Sequence, residues 1–377
     1  VSEEPSNVAA TRGPVRIVGA GLLGASIGLG LSALGVPVTL ADASPTARAL
    51  ARDVGAGAIE HAEDAAPTLI VVAVPPDVTA EIVAAELRAH PGAVVTDVAS
   101  VKSVILAEVA HLAARDSLDL GRYVGSHPMA GRERSGAGAA SADLFVGRPW
   151  VITLREGVDP RALLAVRNLA TDLGGVPLQM SPAEHDDAVA LVSHLPQLMA
   201  SLTAGRLVEA PETALGLAGQ GLRDVTRVAA SDPRLWSAIL TGNAAAVSTH
   251  LRGVRDDLDG LLGALDRAAV DGPLALGAIA GMAGVISAGN DGVARIPGKH
   301  GGRRKRYTEV TVLVPDEPGE LGRLFTEIGE IGVNIEDFQM EHATRQRVGM
   351  AIVSVIPASA QTLETSLEER GWRVVAQ

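Results

Sequence analysis

The chain has 377 residues, 47% of them apolar, and a formal charge of −12. It is long enough to bury a substantial core in two or three domains, and too acidic for a general nucleic-acid binder. It has no cysteine, which excludes disulfides, thiolate catalysis and cysteine-ligated metals and fits a reducing, cytoplasmic setting.

The N-terminal "VSEEPSNVAATRG" is acidic and lacks the apolar run of a signal peptide. From residue 14 to 180, short β-rich runs alternate with stretches of helical apolar spacing. The runs are "VRIVG" (15–19), "VPVTLAD" (36–42), "TLIVVAVP" (68–75), "AVVTDVA" (93–99), "RYVGSH" (122–127), "PWVITL" (149–154) and "VPLQM" (176–180). Runs that are apolar almost throughout predict a mostly parallel sheet covered on both faces, an α/β doubly wound domain of Rossmann type over 14–180.

Immediately after the first strand, "GAGLLG" sets Gly19, Gly21 and Gly24 in the G-x-G-x-x-G spacing at a helix start. The first glycine permits a tight turn, the second a close approach of backbone to pyrophosphate, and the third close helix–strand packing. Asp42 ends the next strand, where a carboxylate accepts both ribose hydroxyls and repels a 2′-phosphate. NAD is therefore the expected cofactor, with Leu22, Leu23 and Val74 completing its binding wall.

"TDVASVKSVI" ends a strand at Asp97 and starts a helix near Ser100, which is either a helix cap or a substrate contact. "GSHPMAGRERSG" (125–136) ends the next strand on the same rim. Open α/β folds bind ligands at the carboxyl ends of strands, so His127 is expected near the nicotinamide end of a bound dinucleotide.

After "QMSPAEHD" the strand signal stops, and 3.6-residue periodicity predicts an all-α substrate and dimerisation domain over 181–294. Within it, Gly272–Gly289 carries no charge and is long enough to raise a membrane question. Its five glycines, its proline and its lack of aromatic anchors favour a buried or subunit-facing helix, with no membrane. "PGKHGGRRKR" lies in an expected linker, 295–306, its charges solvated. Residues 307–377 then read βαββαβ, a separate small domain.

Taken in order, "GAGLLGAS", "DVASVKS", "GSHPMAGRERSG", "SHLPQ" and "LRDVTRVAASDPRLW" resemble the prephenate/arogenate dehydrogenase family of tyrosine biosynthesis, and "DEPGELGRL" resembles the start of an ACT domain. The resemblance implies NAD-dependent oxidative decarboxylation of prephenate, or of arogenate, in a homodimer. Such chemistry needs a base, cations for carboxylates and a hydride acceptor, but no metal. By resemblance His127 is the catalytic base and Arg227 binds a substrate carboxylate. Ser193 and His194 line the site. Trp236 either walls the pocket or packs in the core. Arg223 and Arg227 share a helix face, and Asp224 is placed to reach Arg227 at i+3.

The chain departs from the family at Gln197, often a second histidine, and at Arg132, commonly a threonine. Arg132 either contacts a carboxylate or faces solvent, and Glu133 beside it would favour arogenate's ammonium group. In the ACT-like segment, Pro318, Gly319 and Leu321 at a helix start, with Asn334 opening the next strand, form the expected site for tyrosine as a feedback effector. Two other readings are a β-hydroxyacid dehydrogenase and a non-catalytic sensor of NAD and an amino acid. The first usually needs a catalytic lysine on its helical part, and 181–290 has none; the second has no need of His127 or Arg227.

Overall fold

The computed structural model describes residues 8–132, 134–297, 307–342 and 348–375. They form two compact units, one up to Val254 and the other from Arg255.

In the first unit the strands are β1 (Val15–Val18), β2 (Val38–Ala41), β3 (Ala58–Ile59), β4 (Leu69–Val72), β5 (Val94–Asp97), β6 (Tyr123–Pro128), β7 (Pro149–Thr153) and β8 (Val176–Met180). They make one eight-stranded sheet in the order β3-β2-β1-β4-β5-β6-β7-β8. Pairing is parallel from β3 to β6, reverses at β6–β7, and is parallel again for β7–β8. The two-residue β3 has no counterpart among the runs predicted from sequence.

Five helices connect these strands: α1 (Leu22–Ala33), α2 (Pro45–Asp53), α3 (Pro76–Ala89), α4 (Ser103–Asp116) and α5 (Pro160–Asp172). Two apolar layers sandwich the sheet, one centred on Ile17, Ile27 and Trp150 and the other on Ile70, Val95 and Ile105. Burial on both faces explains why the strands are continuously apolar.

Beyond β8 the chain is helical. Ser181 opens α6 (Pro182–Val189) with a capping box to Glu184. A π-helical turn (Ala190–His194) joins it to α7 (Leu195–Gly205). Short helices α8 (Glu212–Leu215) and α9 (Gln220–Thr226) lead to α10 (Pro233–Gly242), where Asp232 caps the first turn, and to α11 (Ala244–Asp271). Ile239 and Trp236 of α10 pack into the second apolar layer of the sheet. The stretch expected as a separate helical domain thus shares a core with the sheet up to Val254. The continuous helix Pro182–Gly205 has the length and apolar character of a membrane span. Its His185, Asp186 and His194 are buried, and Asp186 bonds to α4.

The second unit holds the end of α11, then α12 (Ala278–Ala294). The uncharged stretch Gly272–Gly289 is not one helix: Gly272 and Gly277 both take positive φ (92° and 78°), and the helix begins only after them. Of the expected linker, residues 298–306 lie outside the described residues.

The ACT-like segment runs β9 (Thr308–Pro315), α13 (Glu320–Ile331), β10 (Asp337–His342), β11 (Val348–Val355), α14 (Pro357–Glu369) and β12 (Arg373–Val375). The expected βαββαβ order forms an antiparallel sheet, β10-β11-β9-β12, with a core of Val312, Leu324, Val353 and Leu363. Asn334 does not open a strand. It lies three residues before β10, its side-chain amide donating to Glu336 (2.9 Å).

Candidate active site

The first part of the site is a cradle of backbone. Gly19 follows β1 with φ +103°, and a Cβ there would lie 2.2 Å from the carbonyl oxygen of Ala73. A Cβ on Gly24 would meet the Gly19 carbonyl oxygen at 1.9 Å, whereas Gly21 has nothing within 4 Å. Two glycines are required by packing, and the middle one leaves open space at the helix N-terminus. That combination fits a dinucleotide pyrophosphate. Val74 covers Gly19 from the turn after β4, and Leu22 and Leu23 pack on the core as α1 begins.

Asp42 stands just beyond β2. Its carboxylate accepts N–H bonds from Ala20 (2.6 Å) and Ser44 (2.7 Å), one on each oxygen. Each oxygen keeps a second lone pair, so the carboxylate is both oriented and able to accept from a ribose.

The second part lies at the carboxyl end of β6. His127 is 8% exposed. Its Nδ1 is 2.9 Å from Nε2 of His185, whose Nδ1 is 2.9 Å from Oδ1 of Asp186. Among the described residues His127 Nε2 makes no hydrogen bond. Burial, then the nearby His185, Lys102 and His194, push the His127 imidazolium well below the ordinary histidine value. Asp186 also accepts N–H bonds from Lys102 (2.9 Å) and Ser103 (2.8 Å). Burial pushes this carboxyl up, but the bonds from His185, Ser103 and Lys102 outweigh it and hold it below the usual range.

Beneath His127 lies a buried ion pair. Lys102 Nζ bonds Asp97 and donates to the carbonyl of Ser126 (2.7 Å), the residue before His127. Tyr123 donates its hydroxyl to the other Asp97 oxygen (2.7 Å). Burial lowers the lysine's proton affinity against the pull of Asp97. Burial and the Asp97 charge hold the tyrosine hydroxyl protonated.

The third part is a cavity of about 970 Å³ whose walls include Arg132, Arg134, Gln197, Ser231 and Trp236. Trp236 stands edge-on to His194, ring centroids 6.0 Å apart. His194 is buried among His185, Asp186 and Asn243, and burial lowers it to about 4.

The expected site residues are therefore brought together unevenly. His127 and His194 meet in one network, and Arg132 and Trp236 share one cavity. Ser193 is half-buried on the π-helical turn. Arg227 is exposed, on a turn next to the cavity residue Val228. Asp224 bonds Gln220 (2.8 Å) rather than Arg227. Ser100 is not a helix cap: α4 starts at Ser103, and its N–H groups are satisfied by Asp186. Glu133 lies outside the described residues. Sequence reasoning missed His185, Asp186, Lys102 and Arg134. All four sat inside quoted stretches. "EHDD" reads as an ordinary acidic helix start.

The prephenate dehydrogenase nucleotide-binding domain matches residues 27–178, and the dimerization domain of that family matches residues 181–275. The probable prephenate dehydrogenase NovF of Streptomyces niveus is 35% identical over 359 residues, which cover 94% of this chain and 98% of that protein. The cyclohexadienyl dehydrogenase of Zymomonas mobilis is 31% identical, over 62% of this chain and 82% of its own length. Among solved structures, the prephenate dehydrogenase of Aquifex aeolicus in complex with hydroxyphenyl propionate and NAD+ is similar with a TM-score of 0.63 and 28% identity, over 74% of this chain and 97% of that one. The arogenate dehydrogenase of Synechocystis has a TM-score of 0.59 and 26% identity, over 74% and 99%. With its glycine cradle, rim histidine and helical arm in the family's order, the chain belongs to the prephenate dehydrogenase family.

Proposed function

We propose that the protein is an NAD-dependent prephenate dehydrogenase of tyrosine biosynthesis, converting prephenate to 4-hydroxyphenylpyruvate and carbon dioxide. The observation that carries this reading is the buried His127 at the carboxyl end of β6, its Nδ1 engaged from behind and its Nε2 without a partner among the described residues. NAD, when bound, supplies the hydride acceptor. His127 accepts the ring-hydroxyl proton, and Ser100, half-buried on the same rim, contacts that hydroxyl. Arg227 and Arg132 hold the carboxylates, Trp236 walls the ring, and Ser193 and His194 close the site. Gly19, Gly21, Gly24 and Asp42 hold the cofactor.

Reduced-nicotinamide absorbance, with prephenate and arogenate offered separately, tests this reading. Faster turnover with prephenate is expected. Faster turnover with arogenate reassigns the substrate, and silence with both leaves a non-catalytic sensor.

The cradle carries its own prediction. Gly21→Ala melts like the parent yet binds NAD more weakly. Gly24→Ala is destabilised by roughly 1–3 kcal/mol, the usual cost of overpacking, because its Cβ strikes backbone. Calorimetric NAD affinity equal to the parent's in Gly21→Ala would remove that glycine from the pyrophosphate site.

A homodimer accounts for the apolar surface of the second unit, where Leu258, Leu262, Ile279 and Ile286 are 47–67% exposed. In the ACT-like segment, Gly319 takes φ +97° to open α13 after Pro318, and Leu321 turns its side chain to the core. The backbone N–H groups at that turn, with the Asn334 amide, receive tyrosine as feedback inhibitor. Removing residues 307–377 is expected to abolish tyrosine sensitivity and keep turnover. Inhibition that survives places tyrosine in the active site.

A further inference from the structure

We propose that His185 and Asp186 are positioning residues that fix His127 in the tautomer with its proton on Nδ1, leaving Nε2 as the base. The inference deepens the reading of His127 as base, and rests on it.

An ionised carboxylate only accepts. Asp186 Oδ1 already receives the Lys102 N–H and Oδ2 the Ser103 N–H, and these bonds hold the group below the usual carboxyl range, as an ionised carboxylate. His185, 2.9 Å from Oδ1, must therefore donate through Nδ1. Neutral His185 then has an acceptor at Nε2, and His127, 2.9 Å from it, must donate through Nδ1. That leaves the lone pair of neutral His127 on Nε2, the nitrogen without a partner among the described residues.

When Nε2 takes the hydroxyl proton of the substrate, the O–H bond breaks and an N–H bond forms. The new imidazolium strengthens its Nδ1–H bond to His185, which strengthens its own to Asp186. A protonated His185 would present N–H to both neighbours, force the His127 proton onto Nε2 and remove the base.

The charged or titratable groups facing this relay are Lys102 and Asp97 below it, Tyr123 on β6, and His194 from the π-helical turn. Burial opposes a positive His127, and so do His185 itself, Lys102 and His194.

Selective 15N-histidine labelling of the full chain, with the His127 and His185 resonances assigned by loss in His127→Asn and His185→Leu, reads the tautomers directly. The expected result is both protons on Nδ1 in the unsubstituted protein. A His127 proton on Nε2 overturns the inference without requiring any variant to be active. In kinetics, His185→Leu is expected to lower kcat by roughly 10- to 100-fold, the usual cost of losing an orienting partner. KM should stay near the parent value. An unchanged kcat in folded His185→Leu also overturns the inference. Near-normal turnover in His127→Asn sinks the base assignment instead, and leaves the tautomer measurement standing.

Discussion

His127→Asn is expected to lose turnover by about 10²- to 10⁴-fold, the range that a positioned general base contributes, while binding NAD as the parent does. The asparagine is polar and small enough for the buried site, and its amide can still donate toward His185. What it lacks is a basic nitrogen at the Nε2 position, so the loss should fall on kcat rather than on cofactor affinity. Absorbance of reduced nicotinamide gives the first quantity and calorimetric titration with NAD the second. Turnover within a few-fold of the parent would remove His127 from the chemistry.

The pH dependence follows from the same residue, with its sign fixed. Burial, then the neighbouring His185, Lys102 and His194, lower the imidazolium's affinity for its proton, so the neutral base persists below the ordinary histidine value. The acid limb of kcat should therefore lie below that value. Stability moves the same way. In the unfolded chain His127 and His194 protonate at about pH 6.5, whereas in the fold His194 does so only at about 4. Between those values the unfolded state binds more protons, so stability present above about pH 6.5 is lost as pH falls. Melting temperature recorded from neutral pH downward checks this.

Lys102→Met is expected to cost about 3–5 kcal/mol, the usual penalty for leaving one member of a buried ion pair alone. Asp97 is 0% exposed and Lys102 1%. Without the ammonium, Asp97 keeps, among the described residues, the Tyr123 hydroxyl and the Ala99 N–H against full burial. The Ser126 carbonyl loses a donor as well, which loosens β6 next to His127. Thermal unfolding should show a fall of roughly 6–20 °C, since 1 kcal/mol shifts a unit of this size by about 2–4 °C. Adding Asp97→Asn should recover part of the loss, because the uncompensated charge is gone. A single variant that melts with the parent would show that the pair contributes little.

Much of the nucleotide half was legible because its signals are local. The strand, the glycine spacing and Asp42 all fall within a few turns of chain, and each glycine's task is visible in its own neighbourhood. What failed was long-range. The partners His127 and His185 are 58 positions apart, and Asp186 caps a helix 83 positions before it. "EHDD" at a capped helix start has the composition of a solvated face, so nothing local marks its histidine as buried. Ser100 looked like the cap for a related reason: the true cap comes from a different helix. Strand direction is another limit, because the residues of β7 read the same whether it runs with β6 or against it. The offset of Asn334 from β10 is smaller, a boundary blurred by "VNI" having strand composition while the chain is still turning.

The wide turn at Ala190–His194 absorbs one residue without turning the helix that follows it. An α-helix advances about 100° per residue, and a π-helical turn holds one residue more than the α-helical ladder would. Deleting a single residue there would let the helix close into regular form with the turns on either side kept in register, so Gln197 would stay on the cavity wall it lines. The same deletion in the regular helix beyond the turn has no such slack and would swing the side chains after it by about 100°. A relative that keeps all the motifs with one residue fewer at this turn therefore presents the same wall to its substrate.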